Sequence, residues 1–196
     1  MRTESFSFET QTEDDKNIIT NILYESFDMK FKPLFKRFSS EETIGIIKAS
    51  LNQAEGILYK EDDTILGVAV FSTKQNPGME ITKDMRKRLG LFSYHLYRWL
   101  FQSEKLTDEG IIKLEMIATK TETRGKGVGT TLIHKMIEYA KRSEYNKITL
   151  EVVNTNPRAK ALYERMGFTT YKHHHTGIFT RAFDFSGFDD MSLSLR

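Results

Sequence analysis

The sequence has no cysteine, and this absence excludes several kinds of chemistry at once. A chain of 196 residues without a thiol has no cysteine nucleophile, no thiolate metal site and no disulfide framework. Such a composition suits a reducing compartment. A domain of this length buries roughly 70% of the surface of its unfolded chain, so it needs neither a disulfide nor a metal for stability. We expect a single domain spanning residues 1–196.

An excess of one charge and long apolar runs are also missing. The 29 basic residues nearly balance the 27 acidic ones, the net charge is +2, and no basic stripe indicates nucleic-acid binding. No run of about 18 apolar residues predicts a membrane span, and the segment Met1–Phe6 has no apolar signal core. We therefore expect a cytoplasmic protein that binds neither nucleic acid nor membranes.

The first half of the chain predicts helices followed by a hairpin. After a short strand near 6–9, apolar residues at helical spacing predict a helix that is capped by Thr12 or Asp14 and ends near Phe31, because Pro33 follows. Residues 39–42 have the pattern of a capping box, which opens a second helix ending near position 52. The segments predicted next are strands at 56–60 and 65–72, a turn at 61–64, and a helical insertion at 79–105 that is rich in aromatic residues (Phe92, Tyr94, Tyr97, Trp99 and Phe101).

The second half alternates between strand and helix. The predicted elements are a strand at Ile111–Thr119, a helix at Val128–Arg142, a strand at 148–152, a helix at Pro157–Met166, and strands near 168–174 and 178–185. Strand, helix, strand and helix at this spacing indicate an α/β domain.

A glycine-rich loop, Arg124–Gly129, joins the strand to the helix that follows it. Glycine lets backbone N–H groups approach a phosphate without a Cβ in the way, and the N-terminus of a helix attracts anions. Arg124 and Lys126 add positive charge. The glycine spacing fits neither a nucleoside-triphosphate loop nor a dinucleotide fingerprint. The residues alone therefore indicate a cradle for another phosphate-bearing cofactor, or a glycine-rich turn without a ligand.

A second motif occupies the segment Asn154–Phe168. Asn156 is a suitable N-cap and Pro157 suits the first helical position. Tyr163 lies on the same side of the predicted helix as Ala159, near its packed face. Such a tyrosine, taken alone, is more often a core residue whose hydroxyl finds a partner.

Together these motifs resemble those of the GNAT N-acetyltransferase superfamily. That superfamily uses Arg/Gln-x-x-Gly-x-Gly/Ala after its fourth strand to bind the pyrophosphate of acetyl-CoA, and Arg124–Gly129 matches at every defined position. Its second hallmark, Asn-x-x-Ala-x-x-Leu-Tyr-x-x-x-Gly-Phe, matches Asn156–Phe168. The resemblance is clear over residues 111–185 and only architectural before them. It implies a central mixed, mostly antiparallel sheet flanked by helices.

The resemblance also implies acetyl-CoA as the co-substrate. Backbone groups of Ile117 and Thr119 are expected to contact the pantetheine arm and the acetyl group. The full set of expected contacts is Ile117, Ala118, Thr119, Arg124, Gly125, Lys126, Gly127, Val128, Gly129, Thr130, Asn156, Ala159 and Tyr163. We expect no metal, because consecutive histidines such as 173–175 point to alternate faces of a strand and no acidic residue with ligand spacing stands beside them.

Three side chains are candidates for the chemistry. An alkyl ammonium has a pKa of ~10.4, so an acceptor amine needs a base or a water chain to remove its proton. Tyr163 matches the tyrosine that protonates the leaving thiolate in many relatives. Glu151 matches the glutamate proposed as base in ribosomal-protein N-terminal acetyltransferases, and Glu115 is the alternative; either could instead be a strand carboxylate in a salt bridge. We rank Glu115 first because its strand lines the acetyl site, and we place it opposite Leu114 and Met116.

The activity implied is transfer of the acetyl group of acetyl-CoA to a primary amine of a small molecule, peptide or protein, by direct attack in a ternary complex. A homodimer is compatible with this activity. The alternative is a non-catalytic acyl-CoA-binding module, a sensor or a scaffold. Retention of Tyr163 and Asn156 favours catalysis, because a binding module does not need the tyrosine hydroxyl.

Overall fold

The chain builds a central sheet with helices on both faces. The computed structural model describes residues 1–80, 86–90, 94–95, 108–177 and 185–195. The strands are β1 (Arg2–Ser7), β2 (Glu55–Glu61), β3 (Thr64–Ser72), β4 (Ile111–Thr119), β5 (Lys147–Val153), β6 (Thr169–His175) and β7 (Gly187–Ser194). The helices are α1 (Glu13–Ser26), α2 (Asp28–Leu34), α3 (Ser40–Ser50), α4 (Val128–Arg142) and α5 (Pro157–Arg165).

Over the described ranges the sheet has seven strands, in the order β1-β2-β3-β4-β5-β7-β6. Among the strands of the described residues, only β4 and β5 pair in parallel, and every other neighbouring pair is antiparallel. The predicted mixed, mostly antiparallel sheet is therefore confirmed.

Two cores lie on the two faces of this sheet. On one face α1, α2 and α3 bury residues such as Ile19, Phe31 and Ile47. On the other face α4 and α5 contribute Leu132 and Tyr163 to a separate cluster. The sheet is therefore covered on both faces, as expected for a layered α/β domain.

The ends of the chain differ from the prediction. The first strand is Arg2–Ser7 rather than 6–9. The last strand was missed: β7 is Gly187–Ser194 and inserts between β5 and β6, whereas the predicted strand at 178–185 falls almost wholly outside the described residues. Adjacent aspartates at 189 and 190 disfavour a strand locally. Their pairing with side chains of β6 makes the strand stable here.

The first helical segment breaks before the proline rather than at it. Thr12 is the N-cap, as predicted, and its hydroxyl accepts a hydrogen bond from the Asp15 amide at 3.1 Å. α1 then ends at Ser26, and the chain turns at Phe27 and continues as α2, so Pro33 lies inside the second helix. The predicted single helix to Phe31 was therefore wrong.

A β-bulge in β4 changes which side chains share a face. Val70 pairs with Met116 and Phe71 with Leu114, so Glu115 is an extra residue in β4. Leu114 consequently packs with α4 and Met116 packs in the opposite core. The prediction that these two residues share a face was wrong, because one inserted residue reverses the alternation of a strand.

Most of the predicted insertion at 79–105 lies outside the described residues, including Phe92, Tyr97, Trp99 and Phe101. Residues 86–90 are helical, and Leu89 and Tyr94 pack against the core on the α1 face. Over the ranges that the structure describes, no helix is both long enough and apolar enough to cross a membrane.

The contact between β3 and α4 predicts a difference between two glycine substitutions. A Cβ on Gly67 would lie 2.9 Å from Val128 Cγ1 and 3.1 Å from Leu132 Cδ1, whereas a Cβ on Gly45, inside α3, meets nothing within 4 Å. Gly67→Ala should lower the free energy of unfolding by about 1–3 kcal/mol through overpacking. Gly45→Ala should raise it by about 0.5–1 kcal/mol by favouring the helix. Urea unfolding of both variants measures the two changes, and equal effects would contradict the close packing of α4.

Candidate active site

The glycine-rich loop ends in a helix N-terminus that has no side-chain cap. Gly125 and Gly127 have φ of 80° and 83°, in the left-handed region that favours glycine. Gly127 is the N-cap of α4 and has no side chain to accept a hydrogen bond. The Thr131 amide donates to the Gly127 carbonyl at 2.9 Å, so the amides of residues 128–130 precede the first turn of helical bonding. These amides form a set of donors suited to an anion.

Gly129 differs from the other glycines of the loop. Its φ is not positive, and a Cβ there would meet only Leu162 Cδ2, at an ordinary 3.7 Å. Neither backbone conformation nor protein packing requires glycine at this helical position, where alanine has the higher helix propensity. A glycine of this kind is typical of a surface that a ligand approaches closely.

The strands β4 and β5 separate halfway along β4. Their parallel ladder joins Ile111–Leu114 to Lys147–Leu150 and ends there. Beyond it, β4 stays paired with β3 up to Thr119, and β5 stays paired with β7 up to Val153. The bulge at Glu115 stands at the point of separation. The backbone of β4 on its β5 side therefore lines a gap in the sheet rather than a ladder.

A cavity of about 240 Å³ lies at this gap. It brings together six residues singled out from the sequence: Glu115, Ile117, Glu151, Asn156, Ala159 and Tyr163. The other predicted contacts, Ala118, Thr119 and the segment 124–130, are not part of the cavity wall; they belong to the end of β4, the loop and the start of α4.

Part of the cavity wall was missed by the sequence reasoning. Phe27, Met29 and Lys30 line it from the break between α1 and α2, and Lys113 lines it from β4. No helix-breaking residue marks the break at Phe27 in the sequence, since the proline of this segment is at position 33. Lys113 could have been found from the sequence, since it lies two residues before Glu115 in the same predicted strand.

Tyr163 is held in the cavity wall by the helix that the Asn156 motif starts. The Asn156 side chain accepts a hydrogen bond from the Ala159 amide at 3.1 Å, which confirms the predicted N-cap. Tyr163 is buried, and its ring packs edge-on against Phe168 with 5.9 Å between centroids. Within the described ranges no protein group hydrogen-bonds to its hydroxyl. Burial raises the pKa of the Tyr163 hydroxyl, which therefore stays protonated at neutral pH.

Two partly buried carboxylates share one lysine inside the cavity. Lys113 Nζ lies 2.7 Å from Glu151 Oε1 and 3.8 Å from Glu115 Oε2. The Ser72 hydroxyl donates to Glu115 Oε1 at 2.6 Å. Burial raises the pKa of Glu115, and Lys113 and Ser72 oppose this shift only in part. Burial alone would lower the pKa of Lys113, but the two carboxylates outweigh it and the pKa is raised.

The histidine run pairs with carboxylates that the sequence reasoning overlooked. His173 Nδ1 lies 2.6 Å from Asp189 Oδ1, and His174 Nε2 lies 2.6 Å from Asp190 Oδ2. Lys160 Nζ also contacts Asp189, at 2.7 Å, and so ties α5 to β7. The described part of the chain contains no group of three or more side chains arranged to hold a metal ion.

Comparison with known proteins identifies the family. The family model described as "Acetyltransferase (GNAT) family" matches residues 19–168. The uncharacterized N-acetyltransferase YobR of Bacillus subtilis (strain 168) is 33% identical over 86 residues, which cover 40% of this chain and 35% of that protein. N-alpha-acetyltransferase 30 of Homo sapiens is 28% identical over 134 residues, covering 57% of this chain and 37% of that protein. The chain thus spans little more than a third of the length of these two relatives.

A solved structure supports the same fold. The crystal structure of a Bacillus subtilis acetyltransferase in complex with CoA superposes with a TM-score of 0.63 at 18% identity, covering 100% of this chain and 99% of that one. The family model matches well over half of the chain and includes the strand, the glycine loop and the Tyr163 helix. The chain belongs to the GNAT acetyltransferase family.

Proposed function

We propose that this protein transfers the acetyl group of acetyl-CoA to a primary amine, by direct attack in a ternary complex. The observation that carries the proposal is the hydroxyl of Tyr163, which is buried and protonated in the wall of the gap between β4 and β5. It has no hydrogen-bond partner in the described chain, so a ligand is the natural partner. An acyl-CoA-binding module needs the phosphate loop but not this group.

The proposed binding mode assigns the two ends of acetyl-CoA to different parts of the chain. The amides of residues 128–130, with the side chains of Arg124 and Lys126, bind the pyrophosphate at the start of α4. Backbone groups of residues 117–119 bind the pantetheine arm and the acetyl carbonyl along the unpaired side of β4. Asn156 and Ala159 contact the arm from the opposite wall. This mode explains why Gly129 is a glycine although its own backbone and packing do not require one.

The proposed reaction transfers two protons. The acceptor nitrogen forms the new C–N bond to the acetyl carbon while the C–S bond breaks. The proton lost by the nitrogen passes to a carboxylate, Glu115 or Glu151, both of which line the cavity. Tyr163 donates its hydroxyl proton to the departing sulfur, which would otherwise leave as a thiolate. A tyrosine that remains protonated at neutral pH can serve as this donor.

The balanced charge of the cavity gives no advantage to an acceptor with several positive charges. In the described wall the cations Lys30 and Lys113 balance the carboxylates Glu115 and Glu151, and Phe27 adds an apolar surface. A polyamine gains little in such a pocket, because its additional charges find no excess of carboxylates. An α-amine has a pKa of ~7.7–8.0 against ~10.4 for a lysine side chain, so more of it is neutral and nucleophilic at pH 7. One relative is named an N-alpha-acetyltransferase, in keeping with this class.

Release of CoA thiol from acetyl-CoA in the presence of different amines tests the proposed function. The panels are peptides with a free α-amine, amino acids, aminoglycosides and polyamines. We expect faster release with peptides or amino acids than with polyamines. Calorimetric binding of CoA, without thiol release in any panel, would instead favour the binding module.

The loop assignment predicts that Gly129→Asp weakens binding of CoA by at least about tenfold, because a carboxylate would face the pyrophosphate. This position is better suited to the test than Gly127, whose left-handed φ of 83° strains any other residue. Gly45→Asp is the matched control, since it makes the same chemical change at an exposed helical glycine. Calorimetry measures both dissociation constants, and an unchanged value for Gly129→Asp would refute the assignment.

The role of the tyrosine hydroxyl predicts that Tyr163→Phe slows acetyl transfer by about 100-fold or more, the usual contribution of a general acid. The dissociation constant of CoA and the thermal unfolding temperature should stay close to those of the wild type, because the described protein loses no hydrogen bond. Tyr171→Phe, at a tyrosine that is 59% exposed, is the matched control. If Tyr163→Phe turns over at the wild-type rate, the acid role must be abandoned.

A further inference from the structure

Lys113 is a lysine whose side chain is only 11% exposed, between two carboxylates. We propose that Lys113 is a positioning residue that holds Glu151 in an ion pair and thereby leaves Glu115 as the carboxylate that receives the proton of the acceptor amine. This inference rests on the proposed acetyl transfer. It assigns different roles to two glutamates that the sequence left as alternative bases, with Glu115 ranked first.

The distances are unequal in a way that favours this division. Lys113 Nζ lies within hydrogen-bond distance of Glu151, at 2.7 Å, but 3.8 Å from the nearer oxygen of Glu115. Glu115 Oε1 accepts a hydrogen bond from the Ser72 hydroxyl at 2.6 Å. The other carboxylate oxygen, Oε2, is the one nearer to Lys113 Nζ. A carboxylate that is tightly paired with an ammonium is a weaker base than one that is not. Glu115 Oε2 is therefore the better proton acceptor of the pair.

Lys113 stays positively charged because the carboxylates around it outweigh its burial and the nearby charge of Lys30. Lys30 faces the cluster from α2, and Asp190 faces it from β7, where it is opposite Glu151 in the ladder. His174 of β6 is in turn hydrogen-bonded to Asp190. Several carboxylates near one buried ammonium favour its protonated form. Lys113 therefore acts as a fixed charge and does not itself carry the proton.

The bulge gives Glu115 its place in this arrangement. As the extra residue of β4, it stands where the strand leaves β5, and it lines the cavity. In the proposed step the N–H bond of the attacking amine breaks, the proton goes to Glu115 Oε2, and Glu115 becomes a neutral carboxylic acid. The Lys113–Glu151 pair stays ionised throughout. A neutral Glu115 is tolerated because burial already raises its pKa.

Titration of the glutamate carboxyls in protein labelled with ¹³C-carboxyl glutamate tests the inference without any acceptor. Lys113→Met should raise the titration midpoint of Glu115 by roughly one pH unit or more, the usual effect of losing an opposite charge at this range. Lys113→Arg keeps the charge and should leave the midpoint close to that of the wild type. The Glu115→Gln variant identifies the signal. An unchanged midpoint in Lys113→Met would overturn the proposal.

Glu151→Gln decides the question even if Lys113→Met does not fold. It removes a negative charge near Glu115 and frees Lys113 to approach it, so the Glu115 midpoint should fall; a constant or raised midpoint would count against the inference. In kinetics, the acid limb of kcat/KM should move with each midpoint, and Glu115→Gln should lose far more activity than Glu151→Gln. If the wild type shows no acetyl transfer, the proposed function is refuted. If the wild type is active but the acid limb of kcat/KM does not move in the variants, only the role of Lys113 is refuted.

Discussion

The separation of β4 from β5 is the constraint on which the rest of the site depends. A parallel ladder that continued past Leu114 and Leu150 would fill the gap with backbone hydrogen bonds and leave no room for a substrate. The extra residue Glu115 interrupts the alternation of β4 at this point, and a bulge of this kind bends a strand and increases its twist. One inserted residue therefore opens the sheet and also places a carboxylate in the opening.

A gap in a sheet exposes polar backbone and admits charged side chains into the interior. The cluster of Lys113, Glu115 and Glu151 is costly to bury as separate charges, and it is tolerable because each charge has an opposite partner. The same closeness makes the glutamates inequivalent, because one lysine cannot pair equally well with both. Asymmetry between two carboxylates is thus a direct result of packing them around a single ammonium.

The parts of the site that the sequence predicts are those fixed by local physical chemistry. Left-handed glycines before a helix, and an asparagine N-cap followed by proline, need only neighbouring residues, so the start of α4 and the start of α5 could be located from the sequence. The bulge at Glu115 depends on the register with β3, more than forty residues earlier in the chain. The strand β7 depends on Asp189 and Asp190 meeting histidines of β6. Neither dependence leaves a periodic pattern in the sequence.

The two halves of the proposed site differ in the kind of group that forms them. The proposed donor side consists largely of backbone amides, which any sequence with the correct glycines presents in the same way. The proposed acceptor side is built from side chains of separate elements: Phe27 at the helical break, Glu115 at the bulge of β4 and Glu151 of β5. A substitution in any of these changes the charge or the shape of the cavity without disturbing the loop. In the proposed function, recognition of the donor therefore depends on a short motif, whereas recognition of the acceptor depends on how distant segments pack around Lys113.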